Sequence, residues 1–144
     1  IWSAQMLAAH LQSIGQKAEW LDAREVLVVS HAAGSVDVDW KLSAERLEAL
    51  ARKAESLPDT LIITGYIAST HDGLATTLGR NGSDYSASIF GSLFDASEIH
   101  IWTDVDGVMS ANPRLVPDAV LLDELSYNEA MELAYFGTKV IHPS

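Results

Sequence analysis

The sequence predicts an α/β fold built on a largely parallel sheet. Short segments rich in β-branched residues alternate along the chain with amphipathic segments of helical period, an order that is typical of βαβ units. The apolar run of Leu27, Val28 and Val29 is unbroken, as expected for a strand that is covered on both faces. A length of 144 residues fits one domain, residues 1–144.

The individual elements are predicted from apolar spacing and from start and stop residues. Helices are expected at 2–14, 43–56 and 83–96 and after a capping box at 126–129. Strands are expected at 18–21, 26–30, 60–63 and 98–102. The links are expected to be a turn at 22–25, an edge hairpin or a loop at 31–40, and two short arms at 66–78. The first helix is expected to place four apolar residues in the core: Met6, Leu7, Leu11 and Ile14.

Composition excludes several classes of function. The net charge of −11 disfavours nucleic acid as a partner, because binding to a phosphate backbone needs a basic face. The sequence has no apolar run of membrane-spanning length and no secretory leader, and it contains no cysteine. We therefore expect a cytoplasmic protein without a membrane partner. His31 has no second ligand at metal-binding spacing, so we expect no metal site in the chain.

A glycine-flanked arginine before the third long helix is the strongest candidate site. Gly79 and Gly82 allow a sharp turn that carries Arg80 to the helix start, where Ser83 and Asp84 follow. Arg80 can pair with a carboxylate and Asp84 with an ammonium group, so the pattern suits a zwitterion such as an amino acid. The alternative is a capped helix that follows a glycine loop with a surface arginine.

Other polar residues lie near the expected carboxyl edge of the sheet, where open α/β sheets bind ligands. Thr77 lies just before Arg80, and its hydroxyl could contact a substrate or simply belong to a strand. Thr103 and Asp104 follow the predicted strand 98–102, where they form either a ligand-binding group or an ordinary turn. The predicted helix 83–96 is apolar on more than one face, which indicates a buried or interface helix. We also expect a homo-oligomer.

Four motifs occur in order between Leu78 and Pro143: LGRNGSDYSA, IWTDVDGV, NPR and FGTKVIHP. Together they resemble the aspartate kinases, which are members of the amino-acid kinase family. The segment WLDAREV and the first motif are most similar to the bifunctional aspartokinase/homoserine dehydrogenases. The resemblance implies a three-layer αβα sandwich with a mainly parallel central sheet, incomplete at both ends.

The resemblance also implies an activity. Aspartate kinases transfer the γ-phosphate of ATP, with Mg²⁺, to the β-carboxylate of L-aspartate, the first step of lysine, threonine and methionine biosynthesis. We assign L-aspartate to Thr77, Arg80, Ser83 and Asp84. The resemblance assigns ATP to Thr103 and Asp104 and its phosphates to Arg114 and Lys139.

No catalytic residue is assigned in this sequence. The family's transition-state lysine belongs to a Lys-Phe-Gly-Gly loop that the sequence does not contain. We therefore expect a middle-to-C-terminal piece of a kinase domain that is inactive by itself. The alternatives are a related kinase acting on glutamate, acetylglutamate or a nucleotide, and a non-catalytic domain that senses an amino acid or dimerises.

Overall fold

Within the described residues, the named strands form one parallel pair and two antiparallel hairpins. The computed structural model describes residues 1–32, 35–54, 58–79, 82–102, 106–112 and 114–135. Contacts divide the chain into two compact units, Ile1–Ile99 and His100–Ser144, which are described separately below.

Helices and strands alternate through the first unit. The described helices are α1 (Trp2–Ser13), α2 (Ala23–Val26), α3 (Trp40–Lys53), α4 (Gly82–Leu93) and, in the second unit, α5 (Tyr127–Tyr135). The described strands are β1 (Ala18–Leu21), β2 (Val29–Ala32), β3 (Ser35–Val38), β4 (Thr60–Ile63), β5 (Ile67–Ser69) and β6 (Ala75–Thr77).

The sheet pairings combine one parallel ladder with two antiparallel ones. Strands β1 and β4 are parallel, with Ala18 opposite Thr60 and Leu21 opposite Ile63. Strands β2 and β3 form an antiparallel hairpin, and β5 and β6 form another. A parallel bridge joins Val28 to β5. The α/β class is confirmed, and so are the hairpin interpretation of 31–40 and the two arms of 66–78.

The core of the first unit lies between α2, β2, β5 and α4. Its buried residues come from all four elements, which ties α4 to the strands: Ala23, Val26, Leu27, Val29, Ala68, Leu78, Ile89 and Phe90. Helix α4 confirms the prediction for 83–96, although it ends earlier, at Leu93. Its burial holds the start of the helix at a fixed place beside the strands.

The segment 22–30 corrects the prediction of a turn followed by a strand. Asp22 accepts a hydrogen bond from the Arg24 N–H at 3.0 Å, and the Leu27 N–H donates to the Ala23 carbonyl at 2.7 Å. These bonds close one helical turn, so Val26 is helical and the strand begins at Val29. A short apolar run has no periodicity that separates a buried strand from a buried helical turn, which explains the error.

Helix α1 confirms the predicted element but not its predicted buried face. Met6, Leu7 and Ile14 are 71%, 49% and 60% exposed, whereas Ala4 and Ala8 are buried. The helix packs on β1 and β4. Small residues let a helix approach strands closely, so here the alanines form the contact face and the large side chains point away from it.

Helix α3 begins three residues before its predicted start because Asp39 caps it. The Asp39 carboxylate accepts from the Leu42 N–H at 2.9 Å, as expected of an N-cap residue. Ser43 is therefore inside the first turn, fully buried, where its hydroxyl accepts from the Val28 N–H at 3.0 Å. This bond joins α3 to the chain that leads into β2.

The second unit contains one predicted element that the structure confirms. Ser126 and Glu129 form the expected capping box, with the Ser126 N–H donating to Glu129 Oε2 at 2.8 Å and the Glu129 N–H donating to Ser126 Oγ at 3.3 Å. The hydrogen bonds from Ser126 lower the pKa of the Glu129 carboxyl. Among the described residues, no helix is long and apolar enough to cross a membrane.

The predicted strand 98–102 is wrong. None of these residues is in a strand, and Ile99, Ile101 and Trp102 are exposed. Their β propensity reflects how well such side chains fit a half-buried sheet surface, and it forms no strand where neighbouring strands do not cover them. The Thr103 and Asp104 that were expected to follow it lie outside the described residues.

Replacing Ser43 tests the link between α3 and β2. Ser43→Ala should lower the free energy of unfolding by about 1 to 3 kcal/mol, because the Val28 N–H would lose its acceptor in a buried place. The measurement is the urea midpoint followed by circular dichroism. Ser13→Ala is the control, since Ser13 donates only to the His10 carbonyl on the exposed end of α1. Equal urea midpoints for the two variants would contradict a stabilising role for the hydrogen bond between Val28 and Ser43.

Candidate active site

The exit of β4 and the start of α4 meet beside the predicted amino-acid site. Tyr66 follows β4 by three residues, and its carbonyl accepts from the Leu78 N–H at 2.9 Å. Farther along, the Gly82 N–H donates to the Gly79 carbonyl at 3.2 Å. Arg80 itself lies outside the described residues, but both flanks of its loop are fixed.

The two glycines of the loop have different physical roles. Gly79 has a φ of +77°, a left-handed conformation that favours glycine. Gly82 is required by space, because a Cβ there would lie 2.8 Å from Tyr66 Cδ2 and 2.9 Å from Leu78 Cβ. The first turn of α4 therefore packs against Tyr66 more closely than any residue with a side chain would permit.

Of the predicted substrate residues, the structure describes Thr77, Ser83 and Asp84. Ser83 and Asp84 are exposed in the first turn of α4, where the helix dipole and free N–H groups act on nearby ligands. Within the described residues, the Asp84 carboxylate makes no ion pair or side-chain hydrogen bond. Thr77 ends β6 opposite Ile67 and is half-buried. The hydroxyl of the neighbouring Thr76 forms a hydrogen bond with His31 Nε2 at 2.8 Å.

Tyr66 and Ser86 lie beside the predicted amino-acid site, and sequence reasoning did not single them out. Tyr66 has a φ of +73°, a left-handed conformation that costs a non-glycine residue about 1 to 3 kcal/mol. Its ring is half-exposed. Ser86 is buried in α4, and its hydroxyl accepts from the Tyr66 N–H at 2.7 Å. The position of Tyr66 just after a predicted strand was a signal for the site, but Ser86 carried none.

The predicted nucleotide residues are only partly described. Arg114 is exposed in the second unit, and its N–H donates to Asn112 Oδ1 at 3.0 Å. Its guanidinium forms no ion pair within the described residues, so it is available to an anion such as a phosphate. Thr103, Asp104 and Lys139 lie outside the described residues. The described residues contain no group of three side chains that could hold a metal ion.

A separate polar cavity of about 360 Å³ lies between α2, α3 and the second hairpin. It is lined by Asp22, Arg24, Glu25, Arg46, Ser69, Gly73 and Ala75. Arg24 is bound to the Asp22 carboxylate, with Nε at 3.0 Å from Oδ1 and Nη2 at 2.5 Å from Oδ2. Arg46 donates to the Ser69 hydroxyl at 3.1 Å. The Asp22–Arg24 ion pair and the Arg46–Ser69 hydrogen bond thus engage three of the four charged side chains that line the cavity.

The Asp22–Arg24 pair changes the acidity of both groups. The hydrogen bonds from Arg24 hold the pKa of the Asp22 carboxyl below its ordinary value, against the opposing effect of burial. The same bonds raise the pKa of Arg24. Asp22 also caps α2, so its charge stabilises the turn that leads from β1 into the core.

The comparisons with known proteins place the chain in a family. A model of the amino acid kinase family matches residues 1–144. The chain belongs to the amino acid kinase family. Solved structures support the fold: Escherichia coli aspartokinase III, in complex with aspartate and ADP, superposes with a TM-score of 0.82 at 38% identity over 98% of this chain and 31% of that one. The predicted amino-acid-kinase-like α/β fold is thereby confirmed.

Other members of the amino acid kinase family show the same similarity. Clostridium acetobutylicum aspartate kinase superposes with a TM-score of 0.77 at 31% identity, and the match covers 97% of this chain and 29% of that one. The chain is 51% identical over 144 residues to a chloroplastic bifunctional aspartokinase/homoserine dehydrogenase of Zea mays, covering 99% of this chain and 15% of that protein. A bifunctional enzyme of Escherichia coli is 44% identical over 142 residues, covering 99% and 17%.

The chain spans roughly a sixth of the length of these bifunctional proteins. The maize relative is named as a chloroplastic protein, so the cytoplasmic setting expected from the sequence stays a prediction.

Arg24→Gln tests the ion pair through its pH dependence. The folded pKa of Asp22 lies below its unfolded value, so its stabilisation is fully present above about pH 4 and is lost as pH falls through the folded pKa. Removing Arg24 should raise that folded pKa and move acid unfolding to higher pH. The measurement is the acid midpoint by circular dichroism.

The control is Arg52→Gln. Arg52 forms an ion pair with Glu48 at 3.1 Å, but both side chains are exposed, and such pairs contribute little. If the Arg24→Gln and Arg52→Gln variants have the same acid-unfolding midpoint, the Asp22–Arg24 pair does not stabilise the fold in the way described.

Proposed function

We propose that the protein containing this chain is an aspartate kinase. It transfers the γ-phosphoryl group of ATP to the β-carboxylate of L-aspartate, which gives 4-phospho-L-aspartate and ADP. The observation that carries the proposal is the similarity of nearly the whole chain to an aspartokinase solved with aspartate and ADP. Residues 1–144 would be the middle-to-C-terminal part of its kinase domain.

The start of α4 supports an amino-acid substrate on chemical grounds. Asp84 presents an exposed carboxylate that has no ion-pair partner within the described residues, beside a loop whose two glycines carry Arg80 between them. An α-ammonium group would pair with Asp84 and an α-carboxylate with Arg80, in the bidentate geometry that arginine offers. The hydroxyls of Ser83 and Thr77 would contact the remaining polar atoms.

The reaction requires positioning more than acid–base chemistry. The β-carboxylate of aspartate is already ionised at pH 7, so no general base has to activate it. What remains is alignment of the carboxylate with the phosphoryl group and neutralisation of the phosphate charge. A substrate held at both of its α-substituents has its side chain oriented, which is the contribution of the α4 start.

The nucleotide would be held by Thr103 and Asp104, with Arg114 and Lys139 on its phosphates. Arg114 fits this role, because its exposed guanidinium has no carboxylate partner in the described part of the chain. Mg²⁺ would accompany the ATP and reduce its charge, a role in which the ion is bound mainly by phosphate oxygens and water. The whole protein would act as a homo-oligomer.

Arg80→Ala in the full-length protein separates the two substrates. Loss of a bidentate charged pair should weaken aspartate binding by about 2 to 4 kcal/mol, so the KM for aspartate should rise far more than the KM for ATP. The measurement is ADP release in a coupled assay with each substrate varied in turn.

Asp104→Ala and Lys139→Ala are the matched variants on the nucleotide side. They should weaken ATP use or turnover and leave aspartate affinity unchanged. Equal changes for both substrates in the Arg80 variant would count against the amino-acid site. Phosphorylation of glutamate, acetylglutamate or a nucleotide in place of aspartate would favour a different kinase of the family.

A further inference from the structure

Tyr66 has a backbone conformation that is unfavourable for a residue with a side chain. Its φ of +73° is left-handed, and apart from glycines the described residues contain one other such case, Asp95 at the end of α4. A strained residue in the interior of a chain persists only where its surroundings fix it from several sides. The contacts of Tyr66 therefore identify what holds the exit of β4 in place.

Three contacts hold Tyr66. Its carbonyl accepts from the Leu78 N–H at 2.9 Å, its ring lies against the backbone of Gly82, and its N–H donates to Ser86 Oγ at 2.7 Å. The first contact comes from the loop before α4, whereas the second and third come from the helix itself. Ser86 thus supplies the polar link between the strained residue and α4.

The Ser86 hydroxyl is used in both directions. It accepts from the Tyr66 N–H and donates its proton to the Gly82 carbonyl at 2.5 Å, and the residue is only 4% exposed. One hydroxyl therefore fixes the β4 exit to the turn that presents Ser83 and Asp84.

A neighbouring serine, Ser88, shows which of the two hydrogen bonds of the Ser86 hydroxyl distinguishes it. Ser88 donates to the Asp84 carbonyl at 3.1 Å, which is the same bond to the residue four positions earlier. Ser88 is exposed, and within the described residues its hydroxyl makes no hydrogen bond outside the helix. The bond within the helix is thus a local feature of α4, and the bond to Tyr66 is what distinguishes Ser86.

We propose that Ser86 is a positioning residue for the amino-acid substrate. It acts by holding the left-handed Tyr66 against the first turn of α4, and so sets where Asp84 lies relative to the carboxyl end of β4. The inference rests on the proposed aspartate site at that turn. A displacement of this turn would alter contacts to aspartate and leave the nucleotide residues untouched.

Ser86→Ala in the full-length protein tests the proposal by steady-state kinetics. The KM for aspartate should rise by roughly tenfold, the size expected for losing one or two hydrogen bonds, while the KM for ATP changes less than about twofold. Ser88→Ala is the matched control and should leave both values unchanged. A loss of folded protein alone would lower kcat and leave both KM values as they are.

A second background separates positioning from general stability. Glycine adopts a positive φ without strain, so in a protein carrying Tyr66→Gly the hydroxyl is no longer needed to hold that conformation. There the effect of Ser86→Ala on the KM for aspartate should fall below about threefold. An equal effect in both backgrounds would overturn the proposal, because coupled residues give unequal effects in such a cycle.

The outcomes also distinguish this inference from the proposed function. If Arg80→Ala raises the KM for aspartate and Ser86→Ala does not, the positioning role is wrong and the kinase site stands. If the wild-type protein releases no ADP in response to aspartate, the proposed function itself fails.

Discussion

The structure of the first unit depends on the close approach between the exit of β4 and the first turn of α4. Gly82 makes this approach possible, because any side chain there would overlap Tyr66 and Leu78. Burial of Ile89 and Phe90 farther along α4 presses the helix onto β2 and β5, so the contact cannot relax by moving the whole helix. Ser83 and Asp84 are thereby carried on a packed helix, as a binding site requires.

Buried hydroxyl groups form hydrogen bonds with backbone groups that lie outside the short strands. The strands pair over three or four residues, so much backbone lies outside the ladders. Thr64 accepts from the Ala23 N–H, Ser43 from the Val28 N–H and Ser86 from the Tyr66 N–H, while Ser69 donates to the Leu27 carbonyl. Each of these serines and threonines is buried. Hydroxyls can satisfy single backbone groups where no ladder reaches them.

Sequence reasoning predicted the strands of the parallel pair, the two arms of 66–78, three of the helices and the capping box, because periodicity and turn residues are local signals. It left 31–40 open between a hairpin and a loop. It misplaced the 22–30 segment and the 98–102 strand, since only neighbours decide between helix, strand and coil for short apolar runs. From glycine spacing it predicted an amino-acid site at Arg80, which lies outside the described residues. It could not identify Ser86, because a hydroxyl within an apolar helix has meaning only through its partner across the fold.

The central claim is that the start of α4 binds the α-ammonium and α-carboxylate groups of aspartate. A crystal structure of the full-length protein with aspartate and ADP tests it most directly. The account predicts the α-ammonium within hydrogen-bond distance of the Asp84 carboxylate and the α-carboxylate paired with Arg80. Aspartate bound away from the α4 start, or none bound at saturating concentration, would contradict it.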